Sequence, residues 1–229
     1  MAFNVVVFPP NAEDPQIDID LERFMGTWHV IQSTLPLWKS RKDVTITYTL
    51  KPSEHDPTQI DDLVEYRSKS DSPISKRSSV VGVDTLVSPS GTSEDAPSNA
   101  PKTRWNWRGK GWLMIATSRW QILGCHLHSG GTADDTSNDP EWALTYFEKT
   151  LFTPAGLDIY SRAPSGLPTA LLGEILTKAK ALGGEVGALA EQFFEVERSA
   201  PQDKTTSEPS RIGSINKVDV LNHVALTPS

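Results

Sequence analysis

Residues 43–50 alternate cleanly, with Val44, Ile46, Tyr48 and Leu50 on one side and Thr45, Thr47 and Thr49 on the other. A period of two predicts a strand with one buried and one wet face. The same reading extends along the chain from Glu22 to Arg162. Residues 23–34 form one extended run, and in 62–67 Val64 and Tyr66 share a face. Residues 76–87 are rich in β-branched side chains. In 104–116, Trp105 and Trp107 alternate with Arg and Asn, and the pattern resumes at Trp112 and Met114. Gly109-Lys110-Gly111 between them marks either a bulge in one long strand or a tight turn between two short ones, which leaves the facing of this stretch open. Residues 119–127, 141–149 and 156–162 read as three more strands.

The period changes only after Pro164 and Pro168. Leu171, Leu172, Ile175, Leu176, Ala179 and Leu182 form the stripe of an amphipathic helix, ended by Gly183-Gly184. Residues 192–196 suit a short extra strand. Three segments lack periodicity. Residues 1–20 are Pro-rich and acidic and read as an extended lead-in. Residues 88–103 read as a flexible insertion, and 199–229 as a polar, mobile tail. The organisation expected is therefore one domain over 21–198.

Many short antiparallel strands followed by one helix favour a closed barrel over an open sheet, because closure removes the exposed edges. Eight strands give an interior wide enough for one small ligand. The bulk composition agrees: 229 residues, 37% hydrophobic and 22% charged, suit one globular domain. A net charge of -7 argues against nucleic acid or an anionic membrane as principal partner. No apolar run approaches the roughly 20 residues of a membrane helix. A single cysteine, Cys125, excludes an internal disulfide, and the N-terminal run lacks a basic region and is ended by Pro9 and Pro10. Both point to a cytoplasmic protein.

The run Phe24-Met25-Gly26-Thr27-Trp28-His29-Val30 resembles the Gly-x-Trp signature that opens the first strand of lipocalins, in the calycin superfamily. Gly156-Leu157-Asp158-Ile159-Tyr160-Ser161-Arg162-Ala163-Pro164 resembles the last barrel strand of the bacterial and apolipoprotein-D-like lipocalins. The order of elements between the two is similar as well, so the resemblance spans roughly residues 20–197. It implies an all-β fold: an eight-stranded antiparallel up-and-down β-barrel with a C-terminal α-helix packed outside it. It also implies a structural floor in which Trp28 and Arg162 pack together, with Gly26 allowing close approach. The Thr-Asp-Tyr-type motif of the family is not evident in 129–140, so the resemblance is to an outlying member, and an intracellular one because the signal peptide and disulfide usual in secreted members are not seen.

The implied topology runs the first strand from floor to mouth. Val30 and Gln32 then follow Trp28 on the inner face, with Ile46, Tyr48, Val64 and Tyr66 on the next two strands. Parity with Arg162 turns Tyr160 and Asp158 inward, Asp158 nearest the mouth. Trp120 pairs in facing with Ile122, and Trp112 with Met114. The loop 33–42 carries Leu37 and Trp38 and reads either as a lid over the mouth or as a loop packed on the rim. These residues make an apolar pocket with a few polar groups, the usual composition of a small-molecule site.

The expected ligand is a small hydrophobic molecule, of lipid, terpenoid or polyketide type, with no cofactor. The alternative is a cyclase, isomerase or dehydratase of a secondary-metabolite pathway. In it the cavity folds the substrate, and Asp158, Tyr160 or Tyr48 handles a proton. For Asp158 a solvated or hydrogen-bonded rim carboxylate is the preferred reading over a general acid. Cys125 is read as packing rather than as a nucleophile. His126 and His128 have metal-compatible spacing but no third ligand, so no metal is expected.

Overall fold

The computed structural model describes residues 3–13, 17, 19–52, 58–87, 102–111, 117–128, 139–151 and 153–199. Residues 88–101 of the predicted insertion 88–103 and 200–229 of the predicted tail 199–229, with the two predicted cavity residues Trp112 and Met114, lie outside them.

Eight strands follow one another around a barrel: β1 Gly26–Ser33, β2 Arg41–Leu50, β3 Gln59–Ser68, β4 Ser78–Leu86, β5 Arg104–Gly109, β6 Thr117–His126, β7 Trp142–Phe147 and β8 Gly156–Ser161. Each pairs antiparallel with its chain neighbour, and β1 pairs with both β2 and β8, which closes the sheet. A ninth strand, β9 Phe194–Glu195, adds to the upper half of β1 through Gln32↔Glu195. The barrel and outer helix expected from the sequence are both present.

A short helix, α1 Leu21–Phe24, leads into β1. It forms because the Asp20 carboxylate accepts from the backbone N–H groups of Glu22 and Arg23, at 3.0 and 3.3 Å. Helix α2 Thr169–Ala181 starts after Pro168 and buries Leu171, Ile175 and Ala179, successive turns of one face. That face packs on outward residues of the barrel wall, including Ile31, Leu144, Leu157 and Ile159. Gly183 and Gly184 end it with positive φ, 67° and 54°, as the double glycine suggests. A second helix, α3 Gly184–Ala190, then begins, which the sequence pattern did not predict. The lead-in is packed rather than merely extended: Phe8 N–H donates to the Leu123 carbonyl at 2.8 Å, and Val5 is buried on the outer core.

The molecule therefore has two apolar cores, one between barrel and helices and one inside the barrel. The inner core is aromatic. Phe24 stacks on Tyr48 (5.5 Å between centroids), Tyr48 on Trp120 (5.7 Å), and Trp120 on Trp105 (6.0 Å). Phe24 and Tyr160 also contact Trp28. These rings pack in the inner core around Phe24 of α1, and Tyr48 and Trp120 also line the open volume beyond them.

One irregularity changes which residues face inward. Between Val30 and Gln32 the pairing with β8 slips by one residue: Val30 faces Tyr160, but Gln32 faces Ile159 and Ser33 faces Asp158. A bulge inserts one residue and reverses the parity beyond it. The expectation that Gln32 points inward beside Val30 is thereby corrected. Gln32 shares the outer side with Ile159, and Ser33 takes the inner position.

Candidate functional site

Above the aromatic layer lies a cavity of about 310 Å³. Among the sequence-predicted residues, Leu37, Trp38, Ile46, Tyr48, Val64, Trp120 and Asp158 line it. Val30, Ile122 and Tyr160 are buried inside the barrel but belong to the packed interior rather than to the lining. The ring layer takes volume that a parity argument assigns to ligand. Tyr66 sits at the rim, its ring edge-on to Trp38 at 6.1 Å and beneath the Arg41 guanidinium at 4.9 Å.

The loop after β1 folds across the mouth as a short 3-10 turn, Pro36–Ser40, with Pro36 at its first position. It is fastened to β8 at three points. Thr34 Oγ1 accepts from the Leu157 N–H at 2.8 Å. Leu35 lies over Gly156, where an added Cβ would come within 2.4 Å of its Cδ2. The Trp38 indole N–H donates to Asp158 Oδ2 at 3.3 Å. Ser33 Oγ donates to the other carboxylate oxygen at 2.5 Å and accepts from the Leu35 N–H at 2.9 Å. Both Asp158 oxygens are thus used in holding the segment 33–38 across the opening.

Asp158 is buried, 1% exposed, rather than a solvated rim group. Burial pushes its pKa up to about 7, against the opposing hydrogen bonds from Ser33 and Trp38. Two further buried carboxyls were not singled out from the sequence. Asp62 on β3 is 7% exposed and lines the cavity, and Asp84 on β4 is fully buried next to it. Asp84 Oδ1 accepts from the Trp120 indole N–H at 2.7 Å. Asp84 Oδ2 and Asp62 Oδ1 have no hydrogen-bond partner among the described residues. Burial raises both acids, Asp84 further because the Asp62 charge adds to it, so the pair holds protons that free aspartates would lose. Tyr48 and Tyr160 are likewise raised, chiefly by burial.

A signal for Asp62 and Asp84 existed. Asp62 is two residues before Val64 and therefore shares its face, and the register sets Ile60 opposite Asp84 in the interior. Apolar alternation draws attention away from the one polar residue on the apolar face. The Trp107 indole also belongs to the site. It lies against Gly82, whose missing side chain leaves the room: an added Cβ would sit 2.0 Å from Trp107 Nε1.

The other candidates lie elsewhere. Cys125 is in register with Ala143 and, across it, Tyr160, packed against the inner core away from the lining. His126 pairs with Trp142, a residue of the outer core, and its ring is 6.0 Å from that of His128. Among the described residues no group of three His, Cys, Asp or Glu is placed to hold a metal ion.

The floor beneath the cavity carries the two residues that the motif resemblance joined. The Arg162 guanidinium carbon lies 3.7 Å from the centroid of the Trp28 ring. The chain has the lipocalin fold. Among solved structures it is similar to lobster apocrustacyanin A1, with a TM-score of 0.50 at 12% identity, covering 86% of this chain and 92% of that one. Apocrustacyanin C1 gives 0.50 at 13% over the same shares, and apocrustacyanin C2 gives 0.50 at 12% over 87% and 94%. No family model and no curated protein matches the sequence. At this identity the likeness establishes the lipocalin fold and nothing about ligand. Among the described residues no helix is long and apolar enough to cross a membrane.

Proposed function

We propose that this protein binds one small molecule with an apolar body inside the barrel, beneath the segment 33–38. The observation that carries this reading is the cavity of about 310 Å³, walled by Ile46, Val64, Trp120 and their neighbours and left open above a fully packed aromatic layer. A void lined with apolar side chains forfeits packing contacts on every side unless something fills it. The lid residues Leu37 and Trp38 add apolar surface at the mouth, and burial there contributes roughly 25 cal/mol per Å². The acidic net charge supports a small-molecule partner over nucleic acid, and the lone cysteine supports a reducing, cytoplasmic setting.

Native mass spectrometry of protein purified from its own host, looking for a retained molecule, tests this directly. A complementary test fills the void. Val64→Phe should weaken binding of a neutral lipophilic fluorophore by roughly tenfold or more while the barrel still unfolds cooperatively. Unchanged affinity in that variant would place the binding outside the barrel and end the reading.

A second reading, a cyclase, isomerase or dehydratase acting on a lipophilic substrate, has one observation in its favour. Asp62 is an acid biased toward its protonated form beside apolar volume. In that reading Asp62 takes the proton-transfer role in place of Asp158, whose two oxygens are already engaged by Ser33 and Trp38. Loss of product from a candidate substrate in Asp62→Asn, with its binding retained, is the result that separates enzyme from carrier.

A further inference from the structure

Beside the hydroxyls of Thr117, Ser118, Thr150 and Thr153, the chargeable groups of the cavity's described lining are all acidic. That lining contains two carboxyls, Asp62 and Asp158, and no lysine, arginine or histidine. At the mouth, Asp158 is occupied by Ser33 and Trp38. Asp62 is only partly used: it is 93% buried and lines the open volume, the Trp107 indole hydrogen-bonds its carboxyl, and its Oδ1 has no partner among the described residues. A buried oxygen with an unused lone pair is costly, and the cost is removed by a donor arriving in the cavity.

The surroundings of Asp62 narrow the chemistry of that donor. In register, Asp62 lies between Tyr48 on β2 and Gly82 on β4. The Tyr48 ring lines the cavity on one side, and the Trp107 indole, lying against Gly82, lines it on the other. A carboxyl that lines this volume with no cation beside it is suited to a positively charged nitrogen, which pairs with the carboxylate through a charge-assisted hydrogen bond. A fatty carboxylate would meet the opposite: no cation among the described lining to pair with, and acids whose ionisation its own negative charge would oppose. Among the described residues, the titratable groups facing Asp62 are Asp84 from β4, Tyr48 from β2 and Tyr160 from β8, and none of them is cationic.

We infer that the cavity selects a lipophilic amine, seated with its protonated nitrogen at Asp62 and its apolar body toward the lid. This rests on the cavity-binding reading above and deepens it by naming the ligand class.

The test is a chain-matched series, decylamine, decanol and decanoate, titrated calorimetrically into the full-length protein at neutral pH below their micelle concentrations. Decylamine should bind roughly tenfold or more tightly than decanol, and decanoate more weakly than either. Asp62→Asn, which keeps the shape and removes the charge, should bring decylamine down to the affinity of decanol and leave decanol unchanged. A readout independent of any variant is proton release. Near pH 6, where Asp62 retains a proton, decylamine should displace up to about one proton per molecule bound and decanol none, measured in buffers of different ionisation enthalpy. Decanoate binding as tightly as decylamine, or an amine preference that survives in Asp62→Asn, would overturn the amine inference while leaving the carrier intact. Failure of all three probes to bind would overturn the cavity reading itself.

Discussion

Arg162 and Trp28 hold the closed end of the barrel together through one guanidinium group that makes several kinds of contact at once. Its plane stacks on the indole at 3.7 Å. Its nitrogens donate to the carbonyls of Thr27 and Phe24, both at 3.1 Å, and to that of Arg23, while Nε pairs with Glu141 at 3.3 Å. Trp28 donates its own N–H to the Phe24 carbonyl at 2.9 Å. The last carbonyls of α1, which have no partner within so short a helix, are satisfied from the far end of the chain. Gly26, at φ +90°, gives the turn into β1 its left-handed backbone.

Arg162→Lys is therefore expected not to behave as a conservative change. A lysine keeps the charge but not the planar fork or the stacking surface. We expect a loss of about 2–3 kcal/mol in urea unfolding, and rather more for Arg162→Ala. A lysine variant within about 0.5 kcal/mol of the parent would show that charge alone closes the floor.

Both partners of this contact were legible in the sequence, because Gly-x-Trp and the Ser-Arg-x-Pro ending are local strings whose roles do not depend on the rest of the chain. The helix was legible for a similar reason: Leu171, Ile175 and Ala179 recur at the helical period. Parity placed Ile46, Tyr48, Val64 and Asp158 in the wall correctly, since each lies on a strand segment without an inserted residue. It failed at Gln32 because a bulge leaves no mark on a pattern of single residues. The extent of the open volume was not legible either. Whether rings such as Trp105 and Trp120 stack on each other or spread apart is decided by packing across strands far apart in sequence, not by alternation along one of them.

The buried acids give the protein a defined response to pH. Asp158 has its pKa raised to about 7 in the folded state, so it keeps a proton that the unfolded chain has released. Folded molecules then bind more protons than unfolded ones between about pH 4 and pH 7, and stability falls as pH rises through that window, levelling off above it. Asp62 and Asp84 add slopes of the same sign. Asp158→Asn removes one such slope and leaves a single acceptor for Ser33 and Trp38. The variant should be less stable than the parent near pH 5, and should recover on the order of 3 kcal/mol relative to it by pH 8. An Asn-minus-parent difference that is the same at both pH values would show that Asp158 titrates normally.

Asp43 works in the other direction. Partial burial pushes its carboxyl up, but hydrogen bonds from the Ser199 N–H and hydroxyl and from Arg67 outweigh this and hold it below the ordinary aspartate value. Its stabilising contribution is present above the usual carboxylate range and is lost as pH falls through the lowered value. Ser199→Ala should remove the hydroxyl bond alone and raise the Asp43 pKa, as read by NMR titration of the carboxyl carbon. An unmoved titration would mean that the Arg67 ion pair and the Ser199 backbone N–H hold Asp43 without the hydroxyl.

Gly82→Ala tests how Trp107 is seated. A methyl group at 82 would sit 2.0 Å from the indole nitrogen, so the ring must leave the wall of the cavity. Overpacking of this kind costs about 1–3 kcal/mol. It should be accompanied by a change in tryptophan emission and by loss of affinity for any cavity probe. A variant of parental stability with the parental emission spectrum would mean that the indole has no fixed seat against Gly82.

The bulge in β1 makes opposite demands on two adjacent polar residues, and single alanine substitutions separate them. Ser33 is fully buried and stands between Asp158 Oδ1, to which it donates, and the Leu35 N–H, from which it accepts. Ser33→Ala strands both of those groups in a site closed to water, for which about 2–3 kcal/mol is the expected loss. It should also loosen the lid, seen as faster hydrogen exchange at Leu35 and Trp38. Gln32 lies on the outer side opposite Glu195. Gln32→Ala leaves no buried partner unsatisfied and should change stability by less than about 0.5 kcal/mol, with lid exchange as in the parent. Without the slip in register the costs would be reversed, with Gln32 the sensitive position and Ser33 the tolerant one. The ratio of the two losses therefore reports directly on which of these neighbours faces the barrel interior.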